Sequence, residues 1–310
     1  MLFEYAVEPQ AIGSSWQNFR YLIEKFGFDR GRLISRFPKT WERKVIEAAQ
    51  KSGMGDVRLK SLVSRLQKAK ADALISSGRA YDPSAGDWLD NALIQHAVDP
   101  FHAIIVSENR GTRDFILVAD EVDEAQPLMV APNIWEVPRV AASLAAAMAP
   151  FLRSSKDILF VDPYFNIQDP RYKETLKASL AIVAANRADG MRCEIHYGEH
   201  DRRPPPNFVE QNAGRWLAGV IPACLSVKLF GWKEKVGGAD FHPRYLLTDR
   251  GGMNVEAGFS AEGGHQKVQL TLLDLELCRE KLAAFSRDSI EYELIEPALE
   301  IFSDGTVRRI

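Results

Sequence analysis

The chain has 310 residues, 46% of them hydrophobic and 26% charged, with a formal net charge of −3. That composition excludes a disordered or fibrous protein and allows one large domain or two smaller ones. Three cysteines, Cys193, Cys224 and Cys278, none in a CxxC pair, argue against a disulfide framework and for reduced thiols in a cytoplasmic protein.

In chain order, Ser14 or Ser15 caps a predicted helix ending near residue 26, with Trp16, Phe19, Leu22, Ile23 and Phe26 at spacings of three and four. A second helix is expected at 38–50, with Trp41, Val45, Ile46 and Ala49 on one face, a third at 57–76 and a short fourth at 85–97. These would form an all-helical N-terminal module of residues 1–100. Strands are expected at 101–107 and 114–119 around the turn Asn109-Arg110-Gly111-Thr112, with a short one at 128–130. An Ala-rich helix follows at 138–153. The pattern then alternates: strand 157–162, helix 169–186, strand 192–197, the proline-rich loop 200–207, helix 208–220 and strand 226–230. A hairpin turns near Asp249 to Gly252, a strand follows at 268–273, and the residues after Leu275 read as helix to about 287. Alternating β and α units predict a partly parallel sheet, and the hairpin makes it mixed. The expected fold class is therefore α/β, a mixed-sheet domain of residues 101–310 behind a helical module.

Residues 1–10 carry Glu4 and Glu8 and no long apolar run, so no signal peptide is expected. The longest apolar stretch, 140–152, is too short to span a bilayer, and no transmembrane segment is expected. Charge is unevenly spread. Residues 30–70 hold twelve Lys or Arg against three acids, a local charge of +9, which leaves −12 on the rest. Arg30, Arg32, Arg36, Lys39, Arg43 and Lys44, with Phe37 and Trp41 interleaved, are the candidate contacts to a nucleic acid. A solvated charged face is the structural alternative.

The chemistry-bearing stretch begins at Phe241-His242-Pro243-Arg244. On a strand, residues i and i+2 share a face, so His242 and Arg244 are expected to point the same way. Cleaving a phosphodiester without a metal needs a nucleophile, a proton donor for the leaving oxygen and a cation on the phosphoryl oxygens. An imidazole can attack phosphorus, and Arg244 carries the cation. Asp249 lies too far along a straight strand to touch His242 of its own chain. The alternative for His242 is a half-buried strand histidine bonded to a neighbour.

The pattern His242-x-Arg244-x4-Asp249, followed by Gly258-Phe259-Ser260, resembles the phospholipase D-like superfamily, whose signature is His-x-Lys-x4-Asp with a Gly-Ser soon after. The likeness covers about residues 138–287. Arg244 stands where lysine is usual, eight residues rather than six separate Asp249 from Gly258, and the motif occurs once. The resemblance implies a metal-independent nuclease or phosphodiesterase with no cofactor, acting on DNA or RNA through a phosphohistidine. It implies a homodimer, in which His242 of one chain attacks, His242 of the other donates the proton, Arg244 binds phosphate and Asp249 orders the motif. It implies service in restriction or phage defence, or a module that has lost catalysis and binds nucleic acid, lipid headgroups or a protein.

Two further sets of residues carry chemistry. Cys193, His196, His200 and Asp201 are close in sequence, but the first two sit three apart on a predicted strand and face opposite sides, which disfavours zinc. Asp162-Pro163-Tyr164-Phe165 leaves the C-terminal end of a strand, where α/β sheets place ligands, though a plain turn explains it equally well. With neither a GxxxxGK[ST] nor a GxSxG pattern, an ATPase or a serine hydrolase is disfavoured.

Overall fold

In the computed structural model, which describes residues 2–111, 113–185, 190–200 and 203–310, two units divide between Asn133 and Ile134. Turn residue Thr112, the expected helix end at Asn186, and Asp201 lie outside the described residues. The first unit contains β1 (Phe3–Val7), α1 (Pro9–Gly13), α2 (Trp16–Ile23), β2 (Arg32–Arg36), α3 (Trp41–Lys51), α4 (Asp56–Asp72), β3 (Leu74–Ser76), α5 (Trp88–Val98), β4 (Ala103–Val106) and β5 (Ile116–Val118). Its five strands form a parallel sheet in the order β3-β2-β1-β4-β5.

The expectation of an all-helical module over residues 1–100 is therefore wrong. The helices at 16–23, 41–51 and 56–72 form, but three strands lie among them. β1 and β2 are five residues long with middles buried on both faces, and β3 is only three residues long, with Leu74 buried and Ser76 exposed. Such strands lose the alternating pattern that announces a half-exposed sheet. Their period of two shows only in the packing. Tyr5, Val7, Ile34 and Ile105 pack with Phe19, Leu22, Trp41, Val45, Leu62 and Leu66 of the helices. Ala6, Ile104 and Val106 face the other way, onto Trp88, Leu89 and Phe101. Two buried indoles tie the loops down, Trp41 Nε1 donating to the Val7 carbonyl (2.6 Å) and Trp88 Nε1 to that of Phe37 (2.9 Å).

The second unit contains β6 (Ile134–Arg139), α6 (Ala141–Ser154), β7 (Asp157–Val161), α7 (Pro170–Ala185), β8 (Arg192–Gly198), α8 (Pro206–Trp216), β9 (Ser226–Glu234), β10 (Tyr245–Thr248), β11 (Gly251–Val255), β12 (Gly263–Leu272), α9 (Leu275–Ala284), β13 (Tyr292–Phe302) and β14 (Val307–Arg309). The nine strands run β14-β13-β9-β8-β7-β10-β11-β12-β6. β7, β8 and β9 are mutually parallel, and antiparallel strands extend the sheet on both sides. The mixed α/β sheet is thus present. β6, β13 and β14 are strands that sequence patterning missed. α9 covers one face, where Cys278 and Ala284 meet Leu159, Val161, Phe230, Trp232 and Leu247. Among the described residues, no helix is long and apolar enough to cross a membrane.

Candidate functional site

β7, β8 and β9 end on the same side of the sheet, and the segments leaving them wall a cleft of about 510 Å³. Pro163 and Tyr164 follow β7. Gly198 ends β8 and is followed by Glu199 and His200, while Trp232, Lys233 and Glu234 are the last residues of β9. Asp240, Phe241 and His242 arrive ahead of β10. The carboxyl ends of parallel strands are where α/β sheets gather ligand-binding loops.

The His242 imidazole is exposed, and its ring meets that of Tyr164 edge-on at 6.3 Å. The His200 ring meets the same tyrosine at 5.9 Å, also edge-on. Sheet order explains the convergence, because β8, β7 and β10 are successive neighbours and Tyr164 leaves the middle strand. β10 begins only at Tyr245, so His242 and Arg244 precede the ladder and the shared-face expectation does not govern them. Phe241 turns into the core, its N–H donating to Glu234 Oε1 (2.6 Å), and Pro243 offers no donor, so the chain reaches strand geometry late.

Arg244 is held by its neighbours. Nη1 donates to the Glu256 carbonyl (2.6 Å), Nε lies 3.7 Å from Asp162 Oδ1, and the guanidinium sits 5.0 Å from the centre of the Tyr164 ring. Asp162 is fully buried and accepts N–H bonds from Tyr164 (2.9 Å) and Phe259 (3.2 Å). Burial holds its carboxyl above the usual aspartate range, against the pull of those donors and of Arg244 and Arg203. Arg203 braces the loop by donating to the carbonyls of Phe165 and Pro163, both at 2.6 Å. Gly258 has φ +74°, and a Cβ there would lie 2.2 Å from Asp162 Oδ2 and 2.9 Å from Arg244 Cδ. Ser260 is tied by Arg139 Nη2 (2.5 Å) and donates to Glu262 Oε1 (3.0 Å).

Asp249 sits at the other end of β10, roughly 20 Å from His242 at strand rise. Its Oδ1 accepts the N–H groups of Lys156 (2.8 Å) and Asp157 (3.1 Å), pinning the hairpin to the start of β7. His196 lies in the sheet, fully buried. Trp232 Nε1 donates to its Nδ1 (2.9 Å), so Nε2 carries the proton toward Glu194 Oε2 (3.1 Å). Burial keeps this imidazole below its ordinary value. Cys193 is buried on β8 and its thiol is pushed up to about 12 by desolvation, which suits a packed side chain rather than a metal ligand.

The cleft is electrostatically mixed. Glu199, Glu234 and Asp240 line it against Lys233, whose Nζ is 4.0 Å from Glu199. His200 and Tyr164 join the site although neither belongs to the His-x-Arg pattern. The available signal was position, since each directly follows a predicted parallel strand.

The basic candidates lie in the first unit, at two ends of β2. Arg30 is exposed in the turn before it, beside Asp29 at 3.5 Å, and Arg32 opens the strand with bonds to the Lys25 (2.7 Å) and Met129 (2.6 Å) carbonyls. Arg36, Lys39, Arg43 and Lys44 gather at the other end. Arg36 pairs with Glu42 (2.9 Å), Arg43 with Glu47 (3.3 Å), Lys44 lies 5.9 Å from the Tyr81 ring, and Lys39 is exposed. The six therefore form two groups rather than one surface.

No family model matches the chain, and no curated protein matches it. Among solved structures it is similar to TrmBL2, an archaeal chromatin protein with a novel mode of DNA binding, at 12% identity over 83% of this chain and 72% of that one. The TM-score of 0.29 is too low for that likeness to carry an argument.

Proposed function

We propose that the chain is a phosphodiesterase that works without a metal ion, with His242 as the nucleophile. The observation that carries this reading is an exposed imidazole in a cleft at the carboxyl ends of β7–β9, beside a guanidinium braced on Tyr164. Attack by His242 gives a phosphohistidine that water then hydrolyses. Arg244 supplies the cation for a phosphoryl oxygen, and guanidinium matches that geometry. The cluster Arg36, Lys39, Arg43 and Lys44 supports DNA or RNA as the substrate. Its place at the carboxyl edge of a parallel sheet suits a polyanion contact. Pairing of two copies, a cytoplasmic setting suited to three unpaired cysteines, and a role in restriction or phage defence complete the proposal.

Cleavage of single-stranded and duplex DNA and RNA in EDTA, by wild type and His242→Ala, tests it. EDTA-resistant cleavage lost in the variant is expected. Light scattering reads the assembly, and phage plaque counts with each variant read the defence role. Two observations favour a second reading, binding without cleavage. Arg244 is already engaged by Asp162 and the Glu256 carbonyl, and three carboxylates in the cleft repel a polyanion. Tight binding with no turnover of any ester would select it.

A further inference from the structure

We infer that His200 of the same chain is the second imidazole of this site, acting as general acid and then general base, so that one chain carries the whole reaction. The inference rests on the phosphodiesterase reading and adds a catalytic residue to it. His200 and His242 are both exposed, line the same cleft and touch the same Tyr164 ring, at 5.9 and 6.3 Å between ring centres.

Their separation follows from the sheet. β7, which leads to Tyr164, lies between β8, which leads to His200, and β10, which follows His242. Two strand spacings put the flanking backbones about 10 Å apart. A phosphorus above the tyrosine then has one imidazole on each side, with room for reacting distances of about 3–3.5 Å. Side chains on opposite sides of phosphorus are what in-line displacement needs.

The chemistry balances. The lone pair of a His242 ring nitrogen forms the N–P bond as the P–O bond to the leaving group breaks. The released pair stays on the leaving oxygen, which takes a proton from the His200 imidazolium. Neutral His200 next removes a proton from water as that oxygen attacks phosphorus. The P–N bond breaks, its pair returns to His242, and both imidazoles regain their starting states.

A leaving group that is a stable anion needs no proton, so it isolates the acid. His200→Ala is expected to lose about 10²–10⁴-fold of cleavage on an oligonucleotide, whose leaving group is an alkoxide. Release of p-nitrophenolate in the first turnover on bis(p-nitrophenyl) phosphate is expected to survive, with an acid-labile phosphoryl adduct accumulating on His242. His200→Gln repeats the measurement with the side-chain volume nearly kept, and circular dichroism of both variants checks folding. Mixing His200→Ala with His242→Ala chains is expected to restore nothing, since each chain lacks half of its own site.

Equal loss on both esters, no loss on either, or activity regained on mixing would overturn the assignment while wild-type cleavage leaves the phosphodiesterase reading intact. A wild type that cleaves neither ester removes the reading and the assignment together.

Discussion

Arg244 and Asp162 face each other with Nε 3.7 Å from Oδ1, and the absence of a side chain at Gly258 is what lets them meet. The carboxylate is buried and the guanidinium mostly so. A desolvated anion without a compensating charge is costly, so this pair holds Arg244 beside Tyr164. The registers of β7 with β10 show why, because Leu246 opposes Phe160 and Thr248 opposes Ile158, which sets Arg244 opposite Asp162 one step further along.

Gly258→Ala should therefore be among the most damaging single-methyl changes in the second unit. A residue with a Cβ is strained at φ +74°, by about 1–3 kcal/mol, before any clash with Asp162 is counted. Urea unfolding should show a fall of at least that size. An unchanged midpoint would mean that the loop relaxes freely and the pair is not held.

Asp249→Ala should lower stability by about 0.5–2 kcal/mol, because two backbone N–H groups lose their acceptor. It should leave turnover per folded molecule near wild type, since the carboxylate is bonded at the start of β7. A large drop in kcat with normal stability would make Asp249 part of the chemistry instead.

Acid should destabilise the second unit through His196 before most carboxylates titrate. The folded imidazole is held below its ordinary value of 6.5, so the native state binds fewer protons than the unfolded chain. The associated stability is present above pH 6.5 and is lost as pH falls through the lowered folded value. Glu194 is also held low: burial opposes this, but the His196 hydrogen bond and nearby cations prevail. Its share of stability goes at lower pH still, below its ordinary 4.5. Urea midpoints between about pH 7 and pH 5 should slope in wild type and flatten in His196→Gln. Equal slopes would show that other groups carry the acid response.

Binding of single-stranded nucleic acid should weaken as salt rises, and the paired change Lys39→Gln and Arg43→Gln should reduce the log–log slope by about 1.4–2. Arg30→Gln, at the opposite end of β2, should alter it little. A slope that responds equally to both would return all six basic residues to one binding surface.

Sequence alone determined the alternation of strand and helix from β7 to β9, the hairpin of β10 and β11, and the stretch that brings His242 in. Those elements announce themselves locally, through long apolar periods, a tight turn and a histidine two residues from an arginine. Short strands such as β1 and β3 do not, because three to five residues become a strand only when neighbours complete their hydrogen bonds. Tertiary structure alone decided which distant residues meet. His200 and His242 are 42 positions apart, and sheet order brings both to Tyr164. Gly258 lies 96 positions beyond Asp162, and the close approach that requires a glycine is visible only once β7 and the loop after β11 are side by side. Strand pairing is non-local, so sequence could reveal which groups have useful chemistry, while packing determined which of them share a site.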